Sequence, residues 1–370
     1  MKIVQIVPYS MNRPGGVQSN VRDLSAWLRS QGHEVRIVAP NDGSMTQPEI
    51  KTLGNVRNVS IHGTRFELSL ARRSELTACV SELREWGAQV AHLHTPWTPM
   101  LVWQVWRALG VPAIATFHAT VPTSTRFDPV SWALRKSTGY FNKRLKKIIV
   151  PSEAPQDQWK NFGANPVPLI LPPTIDLSTW RQAARSQKKS QSFSAIYIGR
   201  LEERKGIRVL LEAWKLVQQK RPDIQLTIAG SGPEDQMLHN MVRNNHIRGV
   251  AFHSPPDNAC AREMVAKANL LIAPALHGES FGLVLVEAMA AGTLPVAAAN
   301  SGFSTVLSGM GQNLLVPPGE AEPLANKILE LAESKSMRAQ MCKWAQTESH
   351  RFDVRTVGPK YEALLQAALN

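Results

Sequence analysis

The first forty residues admit few folds. K-I-V-Q-I-V-P, residues 2–8, is an apolar run of strand length, Pro14-Gly15-Gly16 is a glycine loop, and Val17 to Gln31 places Val17, Val21, Leu24 and Leu28 on one helical stripe. Gly32 stops that helix, and a second apolar run, Glu34 to Ala39, follows at once. A buried strand, a glycine turn, an amphipathic helix and another strand make a βαβ unit. Short runs at Val90–Leu93, Ala113–Phe117 and Ile148–Val150 continue the pattern. The expected class is therefore α/β with a doubly wound parallel sheet.

The chain has 370 residues, more than one hydrophobic core supports, so two domains are expected. After Asp176 the run S-T-W-R-Q-A-A-R-S-Q-K-K-S-Q-S-F is polar, basic and without strand character. A second α/β series restarts at Ser194–Gly199, with a helix near Ile207–Arg221, a strand Gln225–Gly230 and a helix near Pro233–Asn245. Strand Leu270–Ala273, helix Leu283–Ala291 and strand Leu294–Ala298 complete it. The expected organisation is a Rossmann-like domain over 1–177, a linker over 178–192 and a second Rossmann-like domain over 193–352, with a helix at about 353–370 packing back on the first. Two such domains facing each other leave a cleft beyond the strand carboxyl ends, where open α/β sheets take ligands.

Net charge is +13, and the excess is concentrated early, with 20 basic against 12 acidic residues in 1–180. That balance favours an anionic partner: phosphate groups, acidic lipid or nucleic acid. Cys79, Cys260 and Cys342 are too few and too scattered for a disulfide framework or a zinc spacing, which fits a reducing cytoplasm. The amino-terminal apolar run is too short for a signal peptide, and no run is long enough to span a bilayer.

Two motifs carry chemistry. G-R-L-E-E-R-K-G, Gly199 to Gly206, follows a strand end and sets Arg200 and Lys205 at the rim of the expected cleft, where a guanidinium fork and an ammonium can hold a diphosphate. Alone, such a loop is equally a solvated basic turn. The second motif, H-G-E-S-F-G-L-V-L-V-E-A-M-A-A-G from His277 to Gly292, places a glycine loop before a helix, whose free N–H groups and positive dipole end attract phosphate. Glu279 in that loop and Glu287 in the helix then flank a phosphate site and can accept from sugar and ribose hydroxyls, each charged hydrogen bond contributing roughly 1.5–3 kcal/mol. The plainer alternative makes Glu287 an ion-pair partner and Glu279 a surface acid.

Strand-R-x4-K followed some eighty residues later by G-E-S-F-G-x4-E-A-M-A-x-G resembles the donor-site signature of glycosyltransferase family 4, retaining enzymes of GT-B fold. P-Y-S-M-N-R-P-G-G-V-Q-S-N-V and A-T-F-H-A-T resemble, within that family, the phosphatidylinositol mannosyltransferases, and the likeness covers nearly the whole chain. The resemblance implies that Arg200 and Lys205 neutralise the donor diphosphate, that Ser280, Phe281, Gly282 and Leu283 offer backbone N–H groups, and that Glu279 holds the sugar and Glu287 the ribose. It implies also that Gly15 and Gly16 let the first loop approach donor or acceptor, and that His118 contacts the transferred sugar. The chain departs from the family in reading L-P-P-T-I-D where N-G-V-D is common, and in a basic loop one residue shorter before R-K-G.

The expected reaction is hexose transfer with retention, mannose from GDP-mannose first, with UDP-glucose or UDP-N-acetylglucosamine as rival donors, to a lipid-linked or glycan acceptor. With no carboxylate nucleophile in place, stabilising the leaving diphosphate is the main catalytic task. No cofactor is expected, and with no D-x-D, and His92 and His94 lacking a third ligand, no metal. A nucleotide-sugar epimerase of similar fold would lack the E-x7-E pair.

W-A-L-R-K-S-T-G-Y-F-N-K-R-L-K-K, residues 132–147, has six basic residues and no acid. At 100° per residue Trp132, Lys136, Tyr140, Lys143 and Lys147 share a face suited to an anionic bilayer, which places the protein peripherally at the inner face of the cell membrane. Nucleic acid is disfavoured, since no binding motif accompanies the charge.

Overall fold

A computed structural model of the protein describes residues 1–370 except 13–14, 44–48, 62–63, 98–99, 119–128, 188 and 190–191. Pro14 and the Ala119-Thr120 end of A-T-F-H-A-T thus lie outside the described residues. Two compact units result, Met1–Ile175 with Phe352–Asn370, and Asp176–Arg351.

The first unit is built on strands β1 (Lys2–Ile6), β2 (Glu34–Asn41), β3 (Ile50–Ile61), β4 (Thr64–Leu70), β5 (Val90–His94), β6 (Ala113–Thr116), β7 (Lys147–Val150) and β8 (Leu169–Ile170). Their order is β4-β3-β2-β1-β5-β6-β7-β8, parallel except for the β3–β4 pair. That edge pair has no counterpart among the expected strands, because its polar residues interrupt the continuous apolar runs that mark the central ones. Side chains alternate across the sheet. Ile3, Val90 and Ile114 meet Leu24 and Leu28 of helix Gly16–Ser30 and Tyr361 and Leu365 of helix Val354–Ala367, while Val4, Ile6 and Leu93 join a second core on the other face.

The second unit carries β9 (Ser194–Ile198), β10 (Gln225–Ala229), β11 (Val250–His253), β12 (Leu270–Ala273), β13 (Leu294–Ala298) and β14 (Leu315–Val316), all parallel in the order β11-β10-β9-β12-β13-β14. Both sheets are doubly wound, as expected. The order in which successive strands are laid down reverses at β1/β5 in one and at β9/β12 in the other, so each unit has a switch point at its strand carboxyl ends.

Two expectations require correction. The stretch read as a linker after Asp176 forms helix Leu177–Ser186, which buries Leu177, Trp180 and Ala183 and is capped by Asp176, whose Oδ1 accepts from Ser178 N at 2.9 Å. Its polar residues are the solvent side of an amphipathic turn, not a loop. The basic helix spans Pro129–Arg144 and ends before Lys147, because Lys146 N donates to Ala113 O at 2.9 Å and commits the chain to β7, which Lys147 begins. Tyr140 is half-buried, stacked on Trp103 at 4.7 Å beside the fully buried Phe141. Of the five residues assigned to one outward face, Trp132 (65% exposed), Lys136 and Lys143 are exposed.

Candidate active site

In the second unit the loop after β9 and the loop after β12 leave the sheet as neighbours at the switch point. Their approach depends on two glycines. Gly206 has φ 70°, and a Cβ there would sit 2.1 Å from Pro274 O; Gly282 has φ 107°, and a Cβ there would sit 2.6 Å from the Phe303 ring. Both conformations are open to glycine and strained for other residues.

Within that frame the charges interlock. Tyr197 Oη donates to Arg200 O at 2.7 Å and pins the start of the loop; burial, then the nearby Glu279 and Glu202 carboxylates, push this phenol up, so it stays protonated. Glu202, 4% exposed, receives Arg200 at 3.2 Å and Arg204 at 2.6 Å. Arg204 also reaches Glu279 Oε1 at 3.1 Å, and Lys205 Nζ meets the same oxygen at 2.6 Å. Burial alone would push the Glu279 carboxyl up, but the charges and hydrogen bonds of Lys205 and Arg204 outweigh it and hold it below the usual carboxylate range. Three cations thus face two carboxylates, leaving one positive charge.

A crevice lined by Tyr197, Lys205, Pro274, Glu279, Val284 and Phe303 sets the Lys205–Glu279 pair beside the first turn of helix Leu283–Ala290. Gly282 caps that helix without a side-chain hydrogen bond, and no acid stands in its first turn. A helix start of this kind is a setting that favours an anion, through backbone N–H groups that lack intrahelical partners. Ser280 and Phe281 are buried in the preceding loop; Glu287 lies half-buried in the second turn. Lys205, Glu279 and the helix start are therefore brought together, with Arg200 joined through Glu202. Sequence reasoning missed Glu202, Arg204 and Tyr197. The alternating E-E-R-K charges were the available signal for the first two.

His118 and the glycine loop belong to the first unit. Gly15 caps helix Gly16–Ser30 with no side-chain hydrogen bond, and no acid occupies its first turn. His118, two residues past β6, pairs its Nε2 with His94 Nδ1 at 2.8 Å, and His94 Nε2 pairs with Gln5 Oε1 at 2.7 Å. His92, on the same face, pairs Nε2 with Thr116 Oγ1 at 2.8 Å. Among the described residues no cluster of three or more His, Cys, Asp or Glu could hold a metal, and no helix is long and apolar enough to cross a membrane.

Known proteins resemble this chain along both units. Residues 14–179 match the model of Glycosyltransferase Family 4, and residues 178–348 that of Glycosyl transferases group 1. The chain is 32% identical over 360 residues to the phosphatidyl-myo-inositol mannosyltransferase of Mycolicibacterium smegmatis, covering 95% of this chain and 90% of that protein. It is 30% identical to the D-inositol 3-phosphate glycosyltransferase of Paenarthrobacter aurescens, covering 91% and 89%. Among solved structures, Anabaena Alr3699/HepE in complex with UDP shares the fold with a TM-score of 0.78 at 21% identity, over 99% of this chain and 100% of that one. Matched along both units and in overall fold, the chain is a hexosyl-transferring enzyme that belongs to glycosyltransferase family 4, of GT-B fold.

Proposed function

We propose that this glycosyltransferase moves mannose from GDP-mannose, with retention at the anomeric carbon, to a lipid-linked acceptor of the phosphatidylinositol class. The observation that carries the donor half is the pairing of Lys205 with Glu279 at 2.6 Å beside the helix start. A cation and a carboxylate adjacent to backbone N–H donors suit a sugar diphosphate, which needs positive charge at one end and hydroxyl acceptors at the other.

Arg200 and Lys205 neutralise the charge that grows on the diphosphate as the glycosidic bond breaks, together with the N–H groups of residues 280–283. Glu279, ionised by its two cationic neighbours, can only accept, and so binds sugar hydroxyls. Glu287 takes the ribose hydroxyls, Gly15 and Gly16 give the first loop close approach, and His118 contacts the transferred sugar. The leaving diphosphate oxygen takes the acceptor's hydroxyl proton on the face where the new bond forms, which gives retention without a nucleophilic side chain. Stabilisation of that developing charge is the dominant contribution. The name of the mycolicibacterial relative supports the acceptor class, and the exposed Trp132, Lys136 and Lys143 support contact with anionic lipid at the cytoplasmic membrane face.

The Paenarthrobacter relative favours a second reading, a water-soluble inositol phosphate acceptor. Radiolabelled GDP-mannose, UDP-glucose and UDP-N-acetylglucosamine incubated with phosphatidylinositol vesicles, or with inositol 3-phosphate, separate the cases. Label from GDP-mannose in the organic phase is expected. Label only from a UDP-sugar overturns the donor, and label only in the aqueous product overturns the acceptor.

A further inference from the structure

The neutral row at the β1/β5 switch point has a direction. Gln5, His92 and His94 are fully buried on the sheet face covered by helices Gly16–Ser30 and Val354–Ala367, with Gln5 in register with His92 and His94 with Thr116. The ring planes of His94 and His118 are nearly parallel, 9° apart, with centroids 5.1 Å apart. Thr95, next in the chain after His94, holds a left-handed φ of 45°, and its Oγ1 accepts from His118 N at 3.4 Å. A non-glycine residue in that region is a local cost retained where geometry matters.

Among the described residues no carboxylate partners these rings, and burial first, then repulsion from the neighbouring histidines, lowers His92 to about 3 and His94 well below its usual value; burial likewise lowers His118 to about 3. All three are neutral at physiological pH. A neutral imidazole has one donor and one acceptor nitrogen. The Gln5 oxygen can only accept, so His94 carries its proton on Nε2. His94 Nδ1 is then a lone pair and must accept, so His118 carries its proton on Nε2. His118 Nδ1 is left as an acceptor. Had the Gln5 amide been turned the other way, every proton in the row would shift and His118 would present a donor.

We propose that Gln5, acting through His94, is a positioning residue that holds His118 in the Nε2–H tautomer, so that this histidine accepts a hydrogen bond from a hydroxyl of the transferred sugar. The functional half rests on the reading of His118 as the sugar contact. The direct test is long-range proton–nitrogen correlation on the full chain labelled with [15N]histidine, His118 being assigned by its absence in His118→Gln. The native protein should show the Nε2–H pattern at His118, and the near-isosteric Gln5→Met should show a mixture of tautomers and a kcat/KM for GDP-mannose lower by on the order of tenfold, the worth of one neutral hydrogen bond. A native Nδ1–H pattern overturns the direction of the row, and this measurement stands whether or not Gln5→Met folds. A pure Nε2–H pattern in Gln5→Met overturns the role of Gln5. Full-rate transfer by His118→Gln removes the sugar contact itself, a failure distinct from the other two because the tautomer is read with no donor present.

Discussion

The two switch points are built from opposite materials. In the first unit Gln5, His94 and His118 form a neutral row whose inner members are sealed from solvent, while in the second Arg200, Arg204 and Lys205 interlock with Glu202 and Glu279. Charges survive there because they are paired and the cations keep part of their surface in water, 47% for Arg200 and 22% each for Arg204 and Lys205. Imidazoles survive full burial because they give up their charge. The same sheet topology thus offers one arrangement of directed neutral hydrogen bonds, which suits the sugar hydroxyls proposed for it, and one of interlocked charges, which suits the proposed diphosphate.

Removing the acid from the charged site is the harshest test of this division. Glu279→Ala is expected to lower transfer from GDP-mannose by roughly a thousandfold, since it removes the carboxylate proposed to accept from the sugar hydroxyls and frees two cations from their partner. GDP should still bind, because Arg204 and Lys205 become more available to it. Circular dichroism confirms an intact fold, and calorimetry with GDP checks the binding. Near-native turnover would end the sugar-holding role. Lys205→Met should act on the other half of the same pair and lower kcat by about a hundredfold, with GDP affinity reduced as well. A change confined to the sugar, with GDP affinity untouched, would separate Lys205 from the diphosphate.

Acid should distinguish the units. His92 has its folded pKa lowered from 6.5 to about 3, and His94 is also lowered. Below about pH 6.5 the unfolded chain therefore takes up protons that the folded chain refuses, and stability falls as pH falls, by about 1.4 kcal/mol per pH unit for each such histidine. Glu279 is lowered from 4.5, so its contribution is present above that value and is lost only as pH falls further. Between pH 6.5 and 5 the loss belongs to the first unit. Hydrogen exchange, corrected for intrinsic rates, should show β1, β5 and β6 losing protection at pH 5.5 while β9 and β12 keep theirs. Equal losses in both would break the contrast.

Much of this architecture was legible because parallel strands buried on both faces leave apolar runs that few other structures leave. β9, β12 and β13 could be read nearly to the residue. The β3–β4 edge pair could not, since its polar side chains hide it, and helix Leu177–Ser186 was masked by the polar residues of its solvent face, although Leu177, Trp180 and Ala183 recur at helical spacing. In the site, Lys205 and Glu279 were found from their motifs, whereas Glu202 and Arg204 were not, because which acid meets which base within E-E-R-K is settled by the short turn that ends at Gly206. Gln5 left a signal that went unused, and His94 was weighed only as half of a metal pair. A glutamine inside K-I-V-Q-I-V-P and the period-two histidines of H-L-H put polar side chains in strands otherwise wholly buried, which demands partners.

Where each unit keeps its unpaired charge leads to the smallest expected effect. The second unit turns Lys205 into its crevice; the first carries cations outward on helix Pro129–Arg144, where Trp132 is 65% exposed and lies under Lys136 Nζ at 5.7 Å. Lys136 and Lys143 are exposed on that helix, whereas Lys147 is half-buried in β7. A lysine near an anionic lipid surface contributes about 1 kcal/mol, so Lys136→Gln and Lys143→Gln should each weaken binding to phosphatidylserine vesicles about fivefold at low salt, while Lys147→Gln should change it little. Because the attraction is screened within a Debye length, the differences should shrink as salt is raised. Sedimentation with vesicles at two salt concentrations measures both. Equal effects at all three lysines would mean that net charge alone drives adsorption; a loss confined to the two helical positions would mark this face as the one that meets lipid.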